Sequence, residues 1–305
     1  MDCQAPVPQR ETRAPRAAYA YRAFGLSIHS EVELPQLPPG DEAGRPDLAL
    51  RIGTVEPSLH SEIGYRRGRL FDDFRYEAIA GREVVIEPLP GAAPHNIADG
   101  IMSRVLTIIA YQRGLLPLHA SAVELGGQVI VVSGPSGAGK STMAALLAAR
   151  GGRVIADDML VFAGEGMLVR PGAGGLKLSS KSLASIGRTP EGLSLANDAE
   201  GKYFLPLPAA AQAAAPISTL VRLVEGEPAL RRLPRPQAAA QWQHCVRQPD
   251  LLPIAPDPPA LWRRWLDLVM TVDVLAASHG RQLDALDRTI DDILDSESEE
   301  WRHHG

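Results

Sequence analysis

The run Gly134-Pro135-Ser136-Gly137-Ala138-Gly139-Lys140-Ser141-Thr142 is a full match to the phosphate-binding pattern G-x-x-x-x-G-K-[ST]. Its surroundings are those the pattern needs. Gln128 to Ser133 reads as a buried strand entering the loop. Thr142 to Arg150 reads as a helix leaving it, stopped by Gly151-Gly152. A strand, a glycine loop and a helix in that order commit the chain to an α/β fold. The residue types suit one chemistry. Glycines let successive backbone N–H groups turn onto phosphate oxygens, and the helix N-terminus adds partial positive charge. The predicted phosphate contacts are Gly134, Ser136, Gly137, Ala138, Gly139, Lys140, Ser141 and Thr142. Lys140 can reach the β- and γ-phosphates, and the Ser141 hydroxyl can sit on Mg²⁺. The expected ligands are therefore ATP and Mg²⁺.

The rest of the chain narrows the class. With 305 residues there is length for one large or two modest domains. A net charge of -5 gives no reason to expect nucleic acid. Only Cys3 and Cys245 are present, far apart, which argues against a disulfide framework and fits a reducing cytoplasm. No apolar run approaches the length of a membrane span, so no membrane association is expected.

Residues 1–18, with Pro6, Pro8 and Pro15 among scattered arginines, read as a disordered lead-in. Ala20 to Ile28 reads as one strand, Asp47 to Ile52 as a second, and Tyr65 to Ala80 and Glu83 to Glu87 as more. Residues 19–95 are thus expected to be a β-rich N-terminal unit, and 96–297 an ATP-binding domain. In the latter, a helix is predicted from Ala98 to Arg113, with Gly114 as its stop. Leu118 to Leu125 should be a strand, joined by Gly126-Gly127 to the strand that feeds the phosphate loop. Residues 164–216 are rich in Gly, Ser, Pro and Ala, and read as a long irregular lid or binding region, or else as disorder. Ser218 to Val224 resumes the sheet, 234–259 is proline-punctuated, and two helices, around Leu261 to Val269 and from Leu283 to Leu294, close the chain.

Arg153 to Asp158 reads as a short strand ending in two acids. Phosphoryl transfer is mostly positioning and charge stabilisation, plus a carboxylate that receives the acceptor's proton. Two acids at a strand end can divide that work, one facing the acceptor and one helping to hold Mg²⁺. The bland alternative is a solvated turn or a helix N-cap. His119 is equally open on residue type alone, either a core or capping histidine or a group near the γ-phosphate.

The run Leu118-His119-Ala120-Ser121-Ala122-Val123, the loop Gly134 to Thr142 and Ala156-Asp157-Asp158 together resemble the HPr kinase/phosphorylase family in order and spacing. The resemblance covers residues 97–165 well and is weaker onward. It implies a P-loop kinase core of the HPr kinase and phosphoenolpyruvate carboxykinase type, here with a small β-rich N-terminal unit. By position it implies Asp157 as general base, Asp158 as the metal-side acid with Ser141, and His119 as a partner of the acids. The glutamate signature of the bifunctional enzymes is not recognisable in 164–216, which argues against dephosphorylation and against HPr as acceptor. The layout is most similar to HPr-kinase-related kinases of lasso peptide biosynthesis. In those, segments like Pro171-Gly172 and Leu176-Lys177-Leu178 and a lysine like Lys202 recur, making Lys177 and Lys202 substrate-side expectations.

The expected activity is transfer of the γ-phosphate to a serine hydroxyl of a peptide or protein, the lasso precursor being one such acceptor. The alternatives are an HPr-type protein kinase, a small-molecule kinase on the same core, and a nucleotide-gated binding module without transfer. A homo-oligomer is expected only by analogy with the family.

Overall fold

A computed structural model describes residues 18–163, 168–207, 215–278 and 283–301. The expectation for the lead-in lies outside these, apart from its last residue. The N-terminal strands are β1 (Tyr19–Ala23), β2 (Leu26–Ser30), β3 (Leu48–Ile52), β4 (His60–Glu62), β5 (Tyr65–Leu70), β6 (Phe74–Ile79) and β7 (Glu83–Pro88). They form one sheet in the order β1-β2-β3-β7-β6-β5-β4. The single strand expected over Ala20 to Ile28 is a hairpin instead. Phe24 and Gly25 both adopt left-handed backbone, with φ of 55° and 73°, as a tight two-residue hairpin turn requires. Glycine is at home there; phenylalanine is not, and hydrophobic alternation across the turn hid it.

The helix that follows starts earlier than its periodicity suggests and changes pitch. It runs as α1 (Pro94–Gly100), a π-helical turn over Ile101–Val105, and α2 (Leu106–Gln112), with Gly114 left-handed just past its end. Next come β8 (Pro117–Leu118), β9 (Ala120–Leu125), β10 (Gln128–Ser133), α3 (Lys140–Ala149), β11 (Arg153–Ala156), β12 (Leu160–Ala163) and β13 (Leu168–Arg170). The strand predicted over Leu118 to Leu125 is broken at His119, whose N–H donates to the Cys245 carbonyl rather than to a ladder.

Residues 164–216 are the largest departure. Their described part is regular: β13, then β14 (Gly175–Ser179), α4 (Ser180–Ser185), β15 (Ser194–Asn197), β16 (Lys202–Pro206) and β17 (Ala215–Pro216). Strands β14, β16 and β15 make a three-stranded antiparallel sheet. Glycine and proline sit in its turns, and the short runs between them still pair. The chain ends with β18 (Thr219–Leu223), β19 (Ala229–Arg232), α5 (Arg235–Trp242), α6 (Pro258–Thr271), β20 (Asp273–Ser278) and α7 (Leu283–Trp301).

The central sheet has the order β11-β9-β10-β18-β20-β19, with β10, β18 and β20 parallel. Its inner strands β9, β10, β18 and β20 are largely buried on both faces, and the period-2 alternation sorts their side chains. On β10, Ile130 and Val132 pack with Met143, Ala144 and Leu147 of α3 and Leu286 and Ile290 of α7. Val129 and Val131 face the other way, into a core shared with α2, α6 and the N-terminal sheet. That second core runs from Tyr21 to Ala276, so apolar packing does not stop at the expected boundary near residue 95. No described helix is long and apolar enough to cross a membrane.

Candidate active site

The phosphate loop leaves β10 and enters α3 as the sequence requires. Gly139 caps the helix in left-handed conformation at φ 96°, and Gly137 is also left-handed at 77°. Ser136 and Gly137 face solvent, whereas Lys140 is buried. The Lys140 ammonium folds back over the loop and donates to the carbonyls of Gly134 and Pro135, both at 3.0 Å. Burial pushes its pKa down, partly offset by Asp158 and Asp157. A desolvated cation beside exposed loop amides is poised for an anion. Thr142 looks elsewhere, its hydroxyl bonding that of Ser182 in α4 at 2.9 Å.

Asp157 and Asp158 follow β11 directly. Asp157 is 5% exposed and has a full set of partners. Its Oδ1 accepts from the Ser121 hydroxyl at 2.6 Å and from the Ser141 hydroxyl at 3.0 Å. Its Oδ2 accepts from the backbone N–H of Lys177 at 2.9 Å. The loop hydroxyl therefore lies on Asp157, the acid that the sequence reading sets on the acceptor side. Asp158 has left-handed backbone, φ 65°, which re-aims its carboxylate relative to its neighbour.

Asp158 is the hub of a charged chain. Lys177 Nζ bridges Asp158 Oδ2 and Asp99 Oδ1, both at 2.8 Å, and Asn197 Nδ2 donates to Asp99 Oδ2 at 2.7 Å. Arg247 donates from both terminal nitrogens to the Asp158 carboxylate, each at 3.2 Å, and to its carbonyl at 2.6 Å. His119 Nδ1 stands 3.3 Å from Asp158 Oδ1 and 2.8 Å from Arg247. Burial alone would raise the Asp158 pKa, but Lys177 and Arg247 hold it well below the usual carboxylate range. Burial likewise opposes the Lys177 charge, and Asp158 and Asp99 more than compensate, holding it above its normal range.

His119 thus lies beside Asp158 and Arg247. Lys177 lies beside Asp158 too, but committed to carboxylates rather than held free. Lys202 is partly exposed and pairs with Glu200 at 2.7 Å. Sequence reasoning missed Ser121, Asp99, Arg222 and Arg247. Ser121 shares strand parity with His119 and could have been found that way. Arg222 lies on β18, paired in register with Ser133 at the mouth of the loop. Arg247 sits in the proline-punctuated segment and has no local signal. Its Nε donates to the Ser103 carbonyl in the π-helical turn at 3.1 Å, an acceptor shared with the Thr107 hydroxyl at 2.8 Å.

Oxygen donors alone, the Ser141 hydroxyl and the Asp157 carboxylate, meet beside the loop. That set suits Mg²⁺, which takes one or two protein oxygens and completes its shell with phosphates and water. Among the described residues no cluster of three His, Cys, Asp or Glu could form a closed metal cage. The residues present therefore fit a metal shared with a nucleotide.

No family model matches the chain, and no curated relative matches it. Among solved structures, the HPr(Ser) kinase/phosphatase from Coxiella burnetii aligns over 60% of this chain and 98% of its own, at 12% identity and a TM-score of 0.32. A likeness that distant carries no argument about activity. What stands without it is a mixed α/β protein of several sheets in which the glycine loop before α3 and the acid pair after β11 meet at one place.

Proposed function

We propose that the protein is an ATP·Mg²⁺-dependent kinase that transfers the γ-phosphate to a serine hydroxyl of a peptide or protein. The observation that carries this is the hydrogen bond from the Ser141 hydroxyl to Asp157, with Asp158 next in the chain and opening onto a cleft. A nucleotide-gated module needs an acid at the loop hydroxyl but no second acid aimed at an acceptor.

On this reading the acids exchange the roles expected from sequence. Asp157, already on Ser141, belongs to the metal side. Asp158 orients the acceptor hydroxyl and takes its proton as the oxygen bonds to phosphorus and the bond to the β-phosphate oxygen breaks. Mg²⁺ would neutralise charge on the phosphates. A carboxylate held strongly ionised is a weak base, but in a loose transition state the hydroxyl is mainly positioned, and its proton leaves late. Lys177, Arg247 and His119 fix the direction of that carboxylate. Lys140 and the loop amides hold the phosphates. The acceptor class we favour is a ribosomally made precursor peptide of the lasso type. Its support is the sequence resemblance around Pro171-Gly172, Leu176-Lys177-Leu178 and Lys202.

The test is to compare Asp157→Asn and Asp158→Asn with ATP and a degenerate serine-peptide library, following phosphopeptide by mass spectrometry. Asp157→Asn should raise the Mg²⁺ concentration needed for half-maximal rate. Asp158→Asn should lower turnover by about 10²–10⁴-fold at saturating Mg²⁺ with ATP affinity kept. The reverse pattern would restore the original assignment. ATP binding with no transfer to any peptide would refute the kinase reading for peptides.

A further inference from the structure

The cleft beside the acid pair has two walls. One comes from the catalytic half, with Ala173, Gly175, Lys177 and Phe204; the other comes from the N-terminal unit, with Phe24 and Gln36. Met102 and Met159 complete an otherwise apolar lining around Asp157 and Asp158. The cleft is narrow: its cavity volume is about 10 Å³, room for about one water, and it widens only toward open solvent.

The N-terminal wall is fastened in place. The Phe24 N–H donates to the Pro171 carbonyl at 2.6 Å, and the ring lies so close to Gly172 that a Cβ there would meet it at 2.6 Å. Left-handed backbone at a bulky residue is uncommon, and the turn keeps it where a ring is wanted. The segment carrying Gln36 is laid along β1: Arg22 donates to the Pro38 carbonyl, and the Tyr21 hydroxyl accepts from the Leu34 N–H. The Gln36 carbonyl then accepts from the Gly174 N–H at 2.8 Å, tying this segment to the approach to β14.

Gln36 is only 4% exposed, and its side-chain oxygen Oε1 is buried without a hydrogen-bond partner. A buried acceptor left unmatched costs its desolvation with nothing returned. Most such groups in proteins have partners, so one in the wall of a cleft beside an acid pair points to a donor brought by a ligand.

We propose that Gln36 is a specificity-determining residue of the acceptor site, its Oε1 accepting a hydrogen bond from a backbone N–H next to the hydroxymethyl group of the acceptor serine. The proposal rests on the kinase reading above and deepens it. A peptide N–H is the donor every peptide acceptor carries at a short, fixed distance from its serine oxygen. Being neutral, it enters an apolar-lined cleft at less cost than an ammonium. The N-terminal unit is then half of the acceptor site, and its hairpin and Gln36 segment select peptide over small alcohols.

The experiment uses acetyl-serine methylamide and its two ester analogues, each with one amide N–H replaced by oxygen. Wild type and Gln36→Leu are assayed for phosphate transfer from ATP. One ester should raise KM on wild type by roughly 3–10-fold, the worth of one neutral hydrogen bond, with kcat little changed. Gln36→Leu should raise the KM of the amide by a similar factor and abolish the amide–ester difference, a coupling that a merely structural role would not produce. Equal KM for all three probes on wild type, or an amide–ester difference that survives in Gln36→Leu, overturns the proposal; a bound water would then be the partner of Oε1. If wild type binds ATP but phosphorylates no probe, binding of the same probes is measured by NMR on protein loaded with a non-hydrolysable ATP analogue. Gln36-dependent discrimination there, without transfer, sinks the kinase reading and keeps the subsite; its absence sinks the subsite.

Discussion

Replacing Lys177 by Met removes the one ammonium shared by Asp99 and Asp158 while keeping the stem that fills the same space. The three side chains are 16%, 10% and 23% exposed, so the ion pairs are largely shielded from water. Breaking a buried pair by removing one partner costs about 3–5 kcal/mol, because the remaining charge stays behind. Arg247 still faces Asp158 and Asn197 still faces Asp99, so the low end, about 3 kcal/mol, is expected. For a chain of 305 residues that lowers Tm by roughly 5 °C. The pH dependence follows in sign. Asp158 has a folded pKa below its unfolded value of 3.8, so its contribution is present above that value and lost as pH falls through the folded pKa. Lys177 has a folded pKa above 10.5, so its contribution is present below that value and lost as pH rises through the folded pKa. The gap between wild type and variant should be widest between about pH 4 and pH 10 and close on the acid side. Urea unfolding from pH 3 upward, for Lys177→Met, Asp99→Asn and the double variant, measures it. A loss under about 1 kcal/mol at pH 7, or parallel pH profiles for wild type and Lys177→Met, would refute the network as a source of stability.

Lys140→Ala should weaken ATP binding by about 10–100-fold, the loss of charge-assisted bonds to phosphate. The same change should not lower the Tm of the nucleotide-free protein, because burial makes the Lys140 charge a cost to the fold; calorimetric titration and a melt on one sample check both. Tyr65, buried and donating to Glu77, has its pKa pushed up to about 12 by burial first and Glu77 second. Its phenol resists ionisation in the fold, so stability should fall as pH rises from about 10 toward 12, and Tyr65→Phe should flatten that fall; ultraviolet titration of both proteins shows whether a phenol with that pKa disappears.

What could be read from the chain were the features whose cause is local. The β9–β10 hairpin follows from Gly126-Gly127 between two apolar runs, and both glycines are left-handed. The loop and α3 follow from glycines that must turn and a helix that must start. The acids appear because they close a strand. What could not be read depends on contacts distant in sequence. Arg247 reaches Asp158 from a segment whose prolines suggest only a linker, and it is placed by the Tyr111 hydroxyl and by Ser103, both far from it in the chain. The sheet in 164–216 was hidden because short strands between glycines carry little periodicity, yet β14 pairs with β16 along its whole length. The division of labour between the acids fell between these cases. On an extended strand neighbouring acids would point to opposite sides, but β11 ends at Ala156 and Asp158 is left-handed, so strand parity does not say which acid faces the loop. That is decided by Ser121 on β9, which aligns with Val132 of β10 and bonds Asp157 from the side where Ser141 arrives. Asp158, turned by its left-handed backbone, is left to the lysine, the arginine and the cleft.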